Sequence, residues 1–174
     1  PEQIPVKSAL AREFGIFNNW YASFPGPSQP NHMFAQAATS CGVTETGIPW
    51  SKCGGMLPLF PCKTIYDSLA EANVDFATFT NGSLFEGGLP GDVYMAGVLK
   101  HLRGRVHTFD GAGGLFARAR SGTLPSFSWV LPRNAGPRPN DDHPCHDVAL
   151  GEEVLKSVYE ALRAGPAWND TALL

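Results

Sequence analysis

Ser28 stands where a hydroxyl could act as a nucleophile. It follows the rigid turn formed by residues 24–27, in which two prolines fix φ, and it precedes an Ala-rich stretch, residues 33–40, that favours a helix. A hydroxyl at the first turn of a helix faces backbone N–H groups that favour an anion such as phosphate. A serine before a helix is more commonly a plain N-cap, and Asn31 has the same ambiguity between a donor to a phosphate oxygen and a turn residue.

A second group of reactive side chains lies in residues 140–147, which read N-D-D-H-P-C-H-D. Carboxylates flank two imidazoles in this stretch, so it could supply a general acid for a leaving group, with a carboxylate fixing the tautomer of an imidazole. Asp and His before a helix are also ordinary loop and capping residues, and this reading stays open beside the catalytic one. The remaining histidines, His32, His101 and His107, are weaker candidates.

The elements that must position these residues alternate between helices and short apolar strands. The spacing of apolar residues predicts helices over 4–14, 33–40, 63–73, 93–102, 111–121 and 150–164, and strands over 16–21, 74–79 and 126–131. The Gly- and Pro-rich stretch 41–62 is expected to be a loop. This alternation favours an α/β fold, a mostly parallel sheet flanked by helices, with ligands at the strand ends.

Composition excludes several classes of protein. The 174 residues carry a net charge of −3 and no basic stripe, which argues against a nucleic-acid partner. No apolar run predicts a transmembrane segment, and the apolar residues 171–174 are expected to open a buried strand, so the chain is expected to be incomplete at both ends. Cys41, Cys53, Cys62 and Cys145 could pair in three ways or stay reduced, and the absence of a C-x-x-C motif argues against structural zinc.

Two motifs resemble one known family. Residues 19–31, N-W-Y-A-S-F-P-G-P-S-Q-P-N, and residues 37–42, A-A-T-S-C-G, resemble a signature of the phosphoesterase family that contains phosphatidylcholine-type phospholipases C and bacterial acid phosphatases. Residues 140–148, N-D-D-H-P-C-H-D-V, resemble the second signature of the family in the form found in plant and algal non-specific phospholipases C. Because intermediate landmarks follow in matching order, residues 1–174 are identified as part of a single phosphoesterase catalytic domain.

The resemblance implies an alkaline-phosphatase-like α/β core and a covalent phospho-enzyme mechanism. It implies that Ser28 is both the nucleophile and a ligand of a divalent metal ion, and that His143 is the second catalytic residue. Asn31, Asp142, His146 and Asp147 are carried over as substrate-binding or supporting residues. The implied substrate is a phospholipid or a small phosphate ester, and transient membrane contact is compatible with a lipid substrate.

This sequence departs from the family pattern at several positions. Asn18 stands where an Asp is usual, Gln36 where many members have a His, and His32 where an Arg is usual. The E-N and D-E motifs that complete the metal site of the family are absent from these residues, so the remaining metal ligands are expected outside this chain. The first hypothesis is a phospholipase C type hydrolase. The alternatives are an acid phosphatase with the same machinery and a non-catalytic structural or assembly protein that retains the fold.

Overall fold

The computed structural model describes residues 2–46, 62–82, 100–101 and 103–174. The chain's helices with described bounds are α1 (Pro5–Glu13), α2 (Ser28–Ala37), α3 (Ile65–Glu71), α4 (Leu115–Ser121) and α5 (Val148–Arg163), and residues 100–101 are helical as well. It forms three strands, β1 (Phe76–Thr80), β2 (Val106–Thr108) and β3 (Phe127–Leu131), and a 3-10 helix at Trp168–Asp170. The described residues fall into two compact units. The sheet unit contains residues 2–17, 77–82 and 106–174, and the serine unit contains residues 18–46, 62–76, 100–101 and 103–105.

The three strands form one parallel sheet with β1 in the centre, in the order β2-β1-β3. All five residues of β1 are buried, as expected for a central strand covered on both faces. Thr78, Phe79 and Thr80 of β1 lie opposite the three residues of β2. At the other side of β1, the Asn81 N–H donates to the Leu131 carbonyl at 3.0 Å, so β1 and β3 end at the same edge. The structure confirms the predicted mostly parallel sheet flanked by helices.

The core of the sheet unit lies between the sheet and helices α4 and α5. The apolar stripe of α5 that the sequence predicted provides Val158 and Leu162, and both are buried there. The other buried members of the cluster are Ala77, Phe79, Phe109, Leu115, Ala119 and Ala161. Helix α1 packs on α5 as well, where the ring of Phe14 meets Tyr159 and Trp168 edge to face at 6.0 and 6.1 Å between centroids. Helix α1 and Trp168 of the 3-10 helix therefore both pack against α5.

The serine unit is built from α2 and α3, which pack on each other. Helix α3 begins with a capping box, in which the Thr64 side chain accepts from the Asp67 N–H and Asp67 accepts from the Thr64 N–H at 2.9 Å. Cys41 and Cys62 form a disulfide with their Cα atoms 7.0 Å apart. Of the pairings that the sequence left open, the structure thus contains this one, and Cys145 is free and exposed.

Several predicted elements differ from the structure. The strand predicted over residues 16–21 is wrong, because these residues pair with no described strand and Ile16 and Tyr21 are 66% and 77% exposed. Residues 171–174, which were expected to open a strand, form no strand with the described residues. Strand β2 was not predicted, because it has only three residues and none is fully buried. The helix predicted over 93–102 lies almost entirely outside the described residues, as do most of the loop 41–62 and Cys53.

Candidate active site

Ser28 is the first residue of α2, and its side chain is exposed. The N-cap position belongs to Pro27, with φ −70° and ψ 178°, and among the described residues no side chain caps this helix start. Ser28 therefore does not serve as the N-cap that the alternative interpretation assigned to it. The hydroxyl stands at the N-terminal end of a helix of 10 residues, where the helix dipole and the first-turn N–H groups favour a negatively charged ligand.

Asn31 holds the loop that precedes Ser28. Its Oδ1 accepts from the Phe24 N–H at 3.0 Å, and its Nδ2 donates to the Phe24 carbonyl at 3.0 Å. The same Nδ2 lies 3.0 Å from the Pro27 carbonyl and 3.3 Å from the Gly26 carbonyl. The structure thus shows Asn31 in the turn-forming role that the sequence left open. A direct contact between Asn31 and a substrate stays a prediction.

The loop of residues 140–147, called the histidine loop below, is attached to the carboxyl edge of the sheet. The Asn140 N–H donates to the Arg133 carbonyl at 2.8 Å, and the Arg133 N–H donates to Asn140 Oδ1 at 2.7 Å. Arg133 Nε donates in turn to the carbonyl of Asn81, which directly follows β1, at 3.2 Å. The carboxyl edge of a parallel sheet is where α/β proteins bind ligands, and the histidine loop lies where the sequence analysis expected a site.

Inside the histidine loop, Asp141 and His146 form a close pair. His146 Nδ1 lies 2.6 Å from Asp141 Oδ1, and both side chains are largely buried. His143 is exposed, and its ring centroid lies 5.6 Å from that of His146. The backbone N–H of His143 donates to the same Asp141 oxygen at 3.3 Å. The sequence predicted that a carboxylate would fix the tautomer of an imidazole. The structure identifies that carboxylate as Asp141, which the sequence analysis did not single out, because a spacing of five residues in a loop gives no periodic signal.

The other two carboxylates of the loop have structural partners. Asp142 adopts φ 58° and forms an ion pair with Lys7 of α1, and its carboxylate lies so close to Gly151 that a Cβ there would collide with it. Burial lowers the pKa of Lys7, but hydrogen bonds and ion pairs with Asp142 and Glu152 outweigh this effect and raise it. Asp147 is the N-cap of α5 and accepts from the Ala149 N–H at 3.0 Å. The capping interpretation is confirmed for Asp147, and substrate contacts of Asp142, His146 and Asp147 stay predictions.

The histidines outside the two motifs have local partners. In the serine unit, His101 Nε2 lies 3.0 Å from Asp67 Oδ1. Burial raises the pKa of Asp67, but hydrogen bonds from Thr64 and the contact with His101 outweigh it and bring the pKa down to about 2. In the sheet unit, burial and the charge of Arg118 lower the pKa of His107. These contacts account for both histidines as parts of the folded framework.

The described residues do not by themselves fit a metal ion. Across residues 2–46, 62–82, 100–101 and 103–174, no three His, Cys, Asp or Glu side chains are grouped so that they could hold one. Ser28 belongs to the serine unit, and the histidine loop belongs to the sheet unit. None of the helices in the described part of the chain combines the length and apolar character that a membrane span requires.

Comparison with known proteins agrees with the two motifs. A sequence profile of the Phosphoesterase family matches residues 1–174. The chain is 39% identical over 180 residues to non-specific phospholipase C6 of Arabidopsis thaliana and 37% identical over 180 residues to non-specific phospholipase C1 of the same plant. Both alignments cover 100% of this chain but only 32% and 31% of the relatives, so the chain spans about a third of their length. The match over the whole chain shows that it belongs to the phosphoesterase family.

Proposed function

We propose that this chain is part of a hydrolase that cleaves the ester bond between the lipid alcohol and the phosphorylated head group of phospholipids, in the manner of a phospholipase C, with Ser28 as nucleophile. The observation that carries the proposal is the position of Ser28, an exposed hydroxyl at the first residue of α2. Two relatives that match the whole chain bear the name non-specific phospholipase C, which supports this substrate class. Catalysis through a phosphoserine divides one displacement at phosphorus into two easier ones.

In the first step, the oxygen of Ser28 bonds to phosphorus and the ester bond to the lipid alcohol breaks. The hydroxyl of Ser28 releases its proton to solvent, and the departing alcohol takes a proton from an imidazolium of the histidine loop. In the second step, water bonds to phosphorus and gives a proton back to the imidazole, the bond to Ser28 breaks, and the serine recovers a proton from solvent. The products are the free lipid alcohol and the phosphorylated head group, which balances the addition of one water molecule.

Two imidazoles could protonate the leaving alcohol. His143 is the residue that the family resemblance points to, and it is exposed. His146 has its Nδ1 on Asp141 at 2.6 Å, an arrangement that fixes the ring and leaves Nε2 to exchange protons. We assign the general acid to His143, with His146 and Asp141 supporting it. A divalent metal ion bound by Ser28 would need further ligands from outside the described residues.

The nucleophile is tested with the full-length protein and its Ser28→Ala variant. Vesicles of phosphatidylcholine measure phospholipase C activity, and p-nitrophenyl phosphate measures phosphomonoesterase activity. Ser28→Ala should lose at least about 10³-fold in turnover, because the covalent route is removed. Ser23→Ala is the matched control, since Ser23 is an exposed serine of the same loop and should keep full activity. Equal turnover by the wild type and Ser28→Ala would remove Ser28 from the mechanism.

The general acid is tested by comparing two leaving groups. The His143→Ala variant should lose much more activity on phosphatidylcholine, whose lipid alcohol needs a proton to depart, than on p-nitrophenyl phosphate, whose phenolate departs unaided. An equal loss on both substrates would assign His143 to phosphate contact instead. Hydrolysis of the monoester alone would favour an acid phosphatase, and no turnover of either ester would favour a structural or assembly protein.

A further inference from the structure

We propose that Asn31 is a positioning residue for Ser28, which fixes the backbone that leads into the nucleophile and does not itself contact the substrate. The inference rests on the proposed function, because it assigns a role relative to Ser28. It starts from the side-chain amide of Asn31, which contacts three backbone carbonyls and one N–H within residues 24–27.

Both N–H donors of the Asn31 amide are committed by these contacts. An asparagine side chain offers two N–H donors and one carbonyl acceptor. The acceptor takes the Phe24 N–H, and the donors face the carbonyls of Phe24 and Pro27 at 3.0 Å and that of Gly26 at 3.3 Å. Because three acceptors share two hydrogens, a phosphate oxygen would have to displace a bond that the loop already makes. The geometry therefore favours a role inside the protein.

The bond to the Pro27 carbonyl is the one that reaches Ser28 most directly. This carbonyl belongs to the peptide group between Pro27 and Ser28, so holding it fixes the direction in which the chain enters α2. Ser28 and Asn31 are three residues apart on the first turn of the helix and thus lie on the same face. The side chain of Asn31 consequently ties the helix to the peptide that precedes the nucleophile.

The loop needs such a side chain because its own backbone is poor in donors. Pro25 and Pro27 have no N–H, so they contribute no backbone donors to the turn. At Gly26 a Cβ would collide with the ring of Phe24, so the turn is tightly closed. A side-chain amide that mimics a peptide group can replace the missing contacts. Displacing a reacting atom by about 1 Å is enough to cost on the order of 10²-fold in rate.

The test compares kcat and KM of full-length Asn31→Ala, Asn31→Asp and the wild type with phosphatidylcholine vesicles. A positioning role predicts that kcat falls about 10²-fold in Asn31→Ala while KM stays within about threefold. Asn31→Asp keeps the size and the acceptor but loses the donors to the three carbonyls, so its kcat should fall as well. Asn19→Ala is the control, since Asn19 is exposed and bonds only locally to the Tyr21 hydroxyl at 3.3 Å.

The outcomes separate this inference from the proposed function. A rise in KM with unchanged kcat would show that Asn31 binds substrate. Wild-type kinetics in both variants would show that residues 24–27 keep their conformation without the Asn31 amide. Either result overturns the inference while Ser28→Ala still abolishes turnover. If Ser28→Ala is fully active, the proposed function fails instead. The double variant Ser28→Ala/Asn31→Ala should lose no more turnover than Ser28→Ala alone. Thermal unfolding shows whether Asn31→Ala and Asn31→Asp fold, and if one of them does not, the kinetics of the other decide.

Discussion

Replacing Glu152 with alanine should loosen α1 from α5 and disturb the histidine loop. The Glu152 side chain is 6% exposed and receives the N-terminal end of α1. Its Oε2 accepts from the Val6 N–H at 2.5 Å, and its two oxygens lie 3.4 and 3.3 Å from the Lys7 N–H. Lys7 Nζ lies 3.4 Å from Glu152 Oε1 and also pairs with Asp142, which precedes His143. The carboxylate therefore joins the first helix to the loop that carries the imidazoles.

The magnitude follows from what the alanine removes. A hydrogen bond to a charged acceptor contributes about 1.5–3 kcal/mol, and a carboxylate at a helix N-terminus adds about 0.3–1 kcal/mol. Water can partly replace the acceptor at α1, so the local loss should be about 2 kcal/mol or more. Since each 1.4 kcal/mol is a factor of ten, the amides of α1 should exchange at least about 30-fold faster in Glu152→Ala.

Hydrogen exchange followed by mass spectrometry on peptides that cover α1 measures this effect in the full-length protein. Glu152→Gln should fall between the wild type and Glu152→Ala, because the amide keeps one acceptor oxygen but loses the charge. Glu153→Ala is the matched control: its side chain is 73% exposed and its pair with Arg138, at 4.0 Å, is solvated. The reasoning is refuted if Glu152→Ala and Glu153→Ala protect α1 equally well.

Two further predictions concern the serine unit. Because the folded pKa of Asp67 is about 2 and its ordinary value is 3.8, the carboxylate stabilises the fold above pH about 4, and this contribution is lost as the pH falls towards 2. Asp67→Asn should remove this part of the pH dependence of the free energy of unfolding, as measured by urea unfolding between pH about 2 and 5. An unchanged pH dependence would contradict the low pKa of Asp67 in the folded protein. The Cys41–Cys62 disulfide closes a separation of 21 residues, so the double serine variant should lose about 3 kcal/mol of stability. Cys145→Ser is the control and should have the same unfolding temperature as the wild type in calorimetry, because Cys145 is free. A wild-type unfolding temperature in the double serine variant would show that the disulfide does not stabilise the fold.

Local patterns in the sequence were sufficient for most of the framework. The apolar stripe of α5, with Val158 and Leu162, predicted a helix because its residues recur at the period of one helical face. The apolar runs that became β1 and β3 were also found, since a buried strand is short and rich in apolar residues. The exposed segment 16–21 was misread for the same reason: an apolar run does not reveal whether a neighbouring strand is present to pair with it.

Local sequence patterns predicted the candidate residues of the site but not which side chains pair with each other. Residue types and spacing singled out Ser28, Asn31 and the histidine loop as candidates, because side-chain chemistry and turn propensities belong to the residues themselves, whereas their roles in a reaction come from the family resemblance and stay predictions. Which carboxylate serves which partner was decided by the tertiary structure: Lys7 pairs with Asp142 across a sequence separation of 135 residues, and Asp141 pairs with His146. The first pair depends on how α1 packs against α5 and the loop, and packing between distant segments leaves no periodic trace in the sequence; the second depends on the conformation of the loop, which has no period either.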